Sequence, residues 1–380
     1  MQRETEIELA KEILSLHERK SAYLVDEASS CPVEHYFDPD RFALERDRIL
    51  RATPQPLAHA SELPAAGSFL RRGLAGLPVL LTRDAEGEVH AFLNVCRHRG
   101  TRLVDDEHGC RARFSCPYHA WTWNNRGELI GVPHEAQGFP GLDRRELGLK
   151  RLGAVEKHGW IWVAGASADA PDIDGVLEGL ADDFDWFGAA DAEIVETDVE
   201  IRAVNWKILV EGGIEAYHFR VAHRDTIAPY FFDNLSTYRS FGPHMRSVLA
   251  KRTLADLSDE PVEAWRLRNH AQVLYSIFPT NQFLVQSDHF AWIQSEPLSA
   301  TSTRVRLSTL APKDRLESEA DRAHWAKNHT ITTKTLAEDF DIGESIQSGL
   351  ESGANDRLNF GRFEGALTDF NEVVDRYLEP

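Results

Sequence analysis

Apolar positions change rhythm along the chain, and the changes divide it. Residues 4–27 set Ile7, Leu9, Ile13, Leu14 and Leu16 among charged neighbours, the spacing of a surface helix. From about residue 32 to 165 short β-rich runs take over. PVLLT, VHAFLNV, ARFSCPY and GWIWVAG are separated by Gly, Pro and Asp turns, which predicts a small all-β domain. The polar, turn-rich GASADAPDIDG, 165–175, reads as a linker. Beyond it the pattern is mixed. VNWKILVEGGIEAYHFRVAH, 204–223, reads mostly as helix, loosened at Gly212-Gly213. Strand-like runs follow near 272–295 and 303–311, and 316–350 reads as a long helix with a mainly polar first half. No internal repeat and no low-complexity tract interrupts this order.

A chain of 380 residues exceeds one ordinary core, so two domains are expected, and 42% apolar residues supply enough material for both. The formal charge of −19 repels phosphate backbones and argues against a nucleic-acid partner. Basic clusters such as Arg97, Arg99 and Arg102 are local. The opening MQRETEIELAKEIL has no apolar signal core, and no run of eighteen apolar residues predicts a membrane span. The expected compartment is the reducing cytoplasm, where close Cys/His sets point to metal more often than to disulfides.

Two of the four cysteines fall in NVCRHRGTRLVDDEHGCRARFSCPYHAW, 94–121, each followed within three residues by a histidine. Structural zinc sites usually draw on C-x₂₋₄-C or H-x₃₋₅-H pairs. Here each short loop offers one thiolate and one imidazole instead: Cys96 with His98, Cys116 with His119. In a two-iron cluster two thiolates can hold one iron and two histidines the other. The pattern C-x-H-x₁₇-C-x₂-H, followed by AWTWNNRGEL, resembles the Rieske iron–sulfur domain. Cys110 lies off the pattern. Histidine ligation raises the potential from roughly −400 mV to about −150 mV or above, which suits a relay accepting electrons from a flavin or ferredoxin.

A relay needs a destination. EAYHFRVAH supplies His218 and His223, which a regular helix would set about 140° apart around its axis, so a bend or helix end must lie between them. Two histidines and a carboxylate make the facial triad of non-haem iron(II). With sixteen histidines in the chain, one close pair is weak by itself. NWK, then Glu211, then EAYH and a second His resembles the catalytic domain of Rieske non-haem iron oxygenases, the terminal (alpha-type) components of ring-hydroxylating and demethylating systems. LAEDFDIGESIQSGL, 336–350, resembles that family's closing segment, an E-D pair before E-x-x-Q. This maps the carboxylate ligand onto Asp339, with Asp341 and Glu338 as alternatives and a plain acidic helix face as the other reading.

The resemblance implies an α+β chain: an N-terminal helical segment, 1–35; an all-β Rieske [2Fe–2S] domain, 36–165; and a helix-grip (START/Bet v1-like) catalytic domain with an antiparallel sheet and a long C-terminal helix, 175–380. It implies a cluster held by Cys96, His98, Cys116 and His119, and a mononuclear Fe(II) held by His218, His223 and Asp339. Glu215 matches the family's bridging acid, more often Asp, thought to link His218 to His119 of the next subunit. A homotrimer follows from the resemblance, as does an outside reductase or ferredoxin that takes NADH's electrons. No G-x-G-x-x-G is present, consistent with nicotinamide binding elsewhere. The substrate, with O₂, is expected to be an aromatic or related ring compound. Glu at the bridging position goes with quaternary ammonium substrates in the family, so a monooxygenase acting on those is the alternative, and an electron carrier without oxygenase activity the remote one. Gly212-Gly213 stands where the family often has Asn after the acid, either widening the site or loosening the helix. Tyr230, Phe231, Phe232, Phe241, Phe278 and Phe283 taken together point to an aromatic surround for a flat apolar substrate or a trimethylammonium group, while any one of them alone reads better as ordinary core.

Overall fold

The computed structural model describes residues 1–379 and divides into two compact units, Leu50–Val176 and a larger one formed by residues 1–49 with 177–379. The first forty-nine residues therefore fold with the C-terminal part of the chain. The turn-rich stretch at 165–175 is held on the smaller unit, where Gly153 N–H donates to the Ser167 carbonyl (2.6 Å) and Asp174 takes Lys157 (2.5 Å) and His158 (2.8 Å).

The smaller unit is built on a seven-stranded antiparallel sheet. Its order is Gln55–His59, Trp160–Ala164, Arg151–Lys157, Val89–Leu93, Leu77–Arg83, Ser68–Leu74 and His108–Cys110. Side chains alternate across a strand, and the sequence uses both faces. Leu70, Val79, Leu81 and Ala91 build one core, while their neighbours Phe69, Leu80 and Phe92 build another on the opposite face. The second core receives the short sheet of Arg113–Ser115, Thr122–Asn124 and Leu129–Gly131, and with it Cys96, Cys116, Trp121 and Trp123. The Cys/His loops thus stand on a packed apolar floor.

In the larger unit seven antiparallel strands form a curled sheet. The order is Ala192–Arg202, Ser302–Pro312, Phe290–Ser299, Asn281–Val285, Ala271–Ile277, His244–Lys251 and Phe231–Phe241. The 33-residue helix Glu319–Glu351 packs against the first two of these strands and against the helix Trp206–Ile214. The terminal helices Arg3–Glu18 and Gly365–Leu378 complete this α+β unit. The opening helix is shorter than its charged, amphipathic stretch predicts, and buries Leu9, Ala10, Ile13, Leu14 and Leu16.

The histidine-bearing segment is not one helix. Trp206–Ile214 ends as Glu215 turns extended (φ −128°, ψ 167°), and a single further turn, Phe219–Ala222, follows. His218 caps the start of that turn and His223 its end. The break removes the angular conflict that a continuous helix would impose.

Candidate metal centres

Cys96 and Cys116 each open a six-residue loop of the same construction. Cys96 N–H donates to the Thr101 carbonyl (2.8 Å) and Gly100 N–H returns to the Cys96 carbonyl (3.0 Å). In the second loop Cys116 N–H donates to Trp121 (2.8 Å) and Ala120 N–H to Cys116 (2.9 Å). The fifth residue of each loop is left-handed, Gly100 at φ 78° and Ala120 at φ 56°. Asn94 braces the first loop by pairing both ways with the Val104 backbone (3.0 and 2.8 Å). Both cysteines are buried free thiols. The His98 ring stacks on Trp121 at 4.8 Å and 5°, and meets the His119 ring edge-on at 4.8 Å.

Two features say what this set can hold. Nδ1 of His98 and Nδ1 of His119 are buried without a hydrogen-bond partner. Buried polar nitrogens are rarely left so, and a bound metal would satisfy both. The ligand atoms of a zinc tetrahedron lie about 3.8 Å apart or closer. Among the described residues the one group whose ligand atoms all fall within 4.8 Å of one another is His218, His223 and Asp339, not the Cys/His quartet. Two thiolates and two imidazoles, one of each from each loop, are a donor set that a two-iron cluster can take. Cys110 is exposed and stands apart, on the strand His108–Cys110.

The second centre joins residues far apart in sequence. His218 Nε2 lies 3.1 Å from His223 Nε2, and Asp339 Oδ1 lies 3.5 Å from the first and 3.0 Å from the second. Each ring has its other nitrogen on a carboxylate: Nδ1 of His218 on Glu215, and Nδ1 of His223 on Glu338 at 2.8 Å. An acceptor at Nδ1 fixes the tautomer that leaves Nε2 free for a metal. Thr226 Oγ1 donates to Glu338 (2.6 Å), and Tyr217 N–H donates to Glu215. Of the three acidic candidates on the long helix, Asp339 alone faces both Nε2 atoms. Glu338 supports His223 from behind, and Asp341 turns outward to Arg202 (2.8 Å).

The two flanking motifs set the distance between these elements. Asn205 caps the helix at Lys207 N–H (2.9 Å), while Trp206 Nε1 (3.0 Å) and Lys207 Nζ (2.7 Å) both bind the buried Glu45. From the long helix, Glu344 accepts Ala203 N–H (2.8 Å) and Gln347 accepts Asn205 N–H (2.9 Å). E-x-x-Q thus clamps the long helix to the entrance of the histidine helix, a turn or two past Asp339. Behind that helix Glu211 accepts from Tyr36 Oη (2.7 Å) and Asn371 Nδ2 (2.8 Å). Burial pushes its carboxyl up to about 7. Glu45, Tyr36, Asn371 and Thr226 carry no motif signal; only their contacts reveal them.

A cavity of about 140 Å³ opens beside His218 and Asp339. Its wall is mainly aliphatic, with Ile208, Leu209, Leu284, Ile293, Leu336 and one aromatic residue, Phe340, and it also carries Glu215 and Gln282. The expected aromatic lining is not there. Along Asn281–Val285 the pocket side belongs to Gln282 and Leu284, so alternation turns Phe283 to the other face, where it packs with Phe184 and Trp292. Phe231 and Phe278 are core residues, and Tyr230 is 68% exposed.

Residues 53–152 match the Rieske [2Fe-2S] domain and residues 185–380 the ring-hydroxylating alpha subunit catalytic domain. The chain is 34% identical over 202 residues to the glycine betaine monooxygenase oxygenase subunit of Pseudomonas aeruginosa, covering 53% of this chain and 46% of that protein. It is 36% identical over 157 residues to biphenyl 2,3-dioxygenase subunit alpha of Rhodococcus jostii, covering 41% and 34%. The chain spans less than half the length of these curated relatives. In fold it is similar to the quaternary ammonium Rieske monooxygenase CntA (TM-score 0.80, 22% identity, 93% of this chain and 96% of that one). It is also similar to naphthalene 1,2-dioxygenase from Rhodococcus sp. (TM-score 0.78, 18% identity, 98% of each). A Rieske [2Fe–2S] cluster and a mononuclear iron are the cofactors of such a chain. By its two domains the chain belongs to the family of Rieske non-haem iron oxygenases, as a ring-hydroxylating alpha subunit.

Proposed function

We propose that this chain is a terminal oxygenase component that hydroxylates an apolar ring compound with O₂ and electrons from a separate reductase or ferredoxin. In this reading Cys96, His98, Cys116 and His119 hold the cluster, and His218, His223 and Asp339 hold the iron. When bound, the cluster supplies electrons one at a time and the iron supplies oxygen activation at positions the three protein ligands leave open. Glu215 and Glu338 hold the two imidazoles in register by accepting their Nδ1–H. The aliphatic wall excludes water and seats an apolar substrate beside His218.

The observation that carries this reading is the cavity itself: apolar, and walled in part by His218 and Asp339. A second reading, oxidation of a quaternary ammonium compound, is favoured by the 34% identity to the glycine betaine enzyme and by Glu at 215. The lining weighs against it. No Lys or Arg lines the cavity to meet a betaine carboxylate, Phe340 is its one aromatic, too few for a cage, and the lining carboxylate of Glu215 is already taken by His218 Nδ1 and Tyr217 N–H. Coupled NADH and O₂ consumption with a matched reductase, across arenes and betaines, tests the choice. Hydroxylated arene is the expected product; consumption driven by betaines alone would transfer the assignment to the second reading.

For assembly, the family resemblance supports a homotrimer in which Glu215 links His218 to His119 of a neighbouring copy. Light scattering on the purified protein checks the trimer. No helix among the described residues is long and apolar enough to cross a membrane.

A further inference from the structure

Two consecutive glycines, Gly212 and Gly213, line the cavity, and the space around them differs. A Cβ on Gly213 would lie 2.5 Å from Gln282 Nε2 and 2.9 Å from its Oε1. That glycine lets the helix close on the Gln282 amide, which donates to the Val210 carbonyl (3.0 Å). A Cβ on Gly212 would meet no heavy atom within 4 Å, and Gly212 does not sit in the left-handed region. Neither packing nor backbone geometry calls for glycine there, and glycine weakens a helix interior relative to alanine. What the missing side chain provides is room, on the wall of the cavity that also holds His218.

We propose that Gly212 sets the upper size of the substrate. The bare helix backbone at 212 is where the part of a flat apolar substrate remote from the reacting carbon rests, against Leu209, Leu284 and Ile293. This rests on the oxygenase reading above. A side chain at 212 fills that space and rejects the larger ring system.

The test compares Gly212→Ala and Gly212→Leu holoenzymes with wild type, with reductase, on toluene and biphenyl. One methylene in an apolar pocket is worth about 10- to 200-fold in discrimination. The biphenyl-over-toluene ratio of kcat/KM should therefore fall by about tenfold or more in Gly212→Leu, and less in Gly212→Ala. The Tm of Gly212→Ala should equal or exceed that of wild type. A ratio that moves less than about twofold in folded Gly212→Leu overturns the proposal, against that expected scale. Wild type that turns over neither ring counts against the ring-hydroxylating reading instead. Xenon-pressurised crystals then decide the cavity claim without turnover. Xenon should sit over Gly212 in wild type and be absent in Gly212→Leu; no xenon in wild type, or a leucine turned away from the cavity, overturns it.

Discussion

Cys96–Thr101 and Cys116–Trp121 are two loops close together in sequence, closed by the same pair of backbone hydrogen bonds. His218, His223 and Asp339 come instead from a broken helix and from a long helix far down the chain. The histidines differ as well. In the loops each ring hides an unpartnered Nδ1. In the triad each ring has Nδ1 on a carboxylate and turns Nε2 toward the other ligands. The loops thus bury polar atoms that only a bound group can satisfy, whereas the triad is already cross-braced by its own hydrogen bonds. Cluster and iron should therefore differ sharply in how much of the fold depends on them.

The largest effects test that difference. Cys116→Ser should bleach the cluster and destabilise residues 50–176 by several kcal/mol, since each stranded Nδ1 costs about 1–3 kcal/mol. Hydrogen exchange in that unit reads the loss; unchanged protection would mean the loops stand without their group. His218→Ala should abolish turnover and lower iron from about three to about two per chain, while leaving the visible spectrum intact. A bleached His218→Ala protein would contradict the assignment. Wild type with only two irons would instead describe an electron carrier.

This contrast also explains what could be read in the sequence. The residues proposed for the cluster are local, so their spacing and the resemblance it carries single out Cys96, His98, Cys116 and His119. The proposed triad is half local: His218 and His223 stand in one motif and Asp339 lies far downstream; all three rested on the resemblance, and three acids within four residues look alike until one knows which way the helix faces. Glu338 was legible only as a rival ligand; its contact with His223 Nδ1 comes from helix phase. The strands at 272–295 and 303–311 were legible from composition, yet their facing was not. Phe283 and Leu284 are equally apolar, and alternation puts Leu284 in the pocket and Phe283 in the core.

Smaller effects probe the bracing of the triad. Glu211 sits behind the histidine helix with its carboxyl raised from 4.5 to about 7, by burial first. A raised carboxyl means the folded protein holds that proton more tightly than the unfolded chain. Its contribution is therefore intact below about pH 4.5 and is lost as pH rises to 7, a change of roughly 3 kcal/mol. Glu211→Gln keeps an acceptor for Tyr36 and Asn371 and does not titrate. Denaturant melts should show the variant gaining on wild type across that window, and parallel curves would remove the buried acid from the account. Glu338→Gln and Glu215→Gln should each weaken iron binding about 10- to 100-fold. If Glu215 also bridges subunits, Glu215→Gln alone slows single-turnover reduction of the iron. Equal single-turnover rates in the two variants would leave Glu215 an orienting residue and no more.

The smallest effect concerns the likeness of the two loops. Gly100 and Ala120 occupy the same left-handed position, but only Gly100 suits it. A side chain in this conformation costs an L-residue about 1–2 kcal/mol, partly offset because glycine has more freedom to lose on folding. A Cβ at Gly100 would meet nothing within 4 Å, so Gly100→Ala isolates backbone strain from packing. It should destabilise the smaller unit by about 1 kcal/mol, and Ala120→Gly should stabilise it by a comparable or smaller amount. Thermal melts of the two single variants and the double variant check the symmetry. If the loops are the same device, the shifts oppose in sign and nearly cancel in the double variant. Two shifts of one sign would show that Ala120 is held left-handed by contacts of its methyl group that Gly100 has no counterpart for, and the loops would be alike in hydrogen bonding alone.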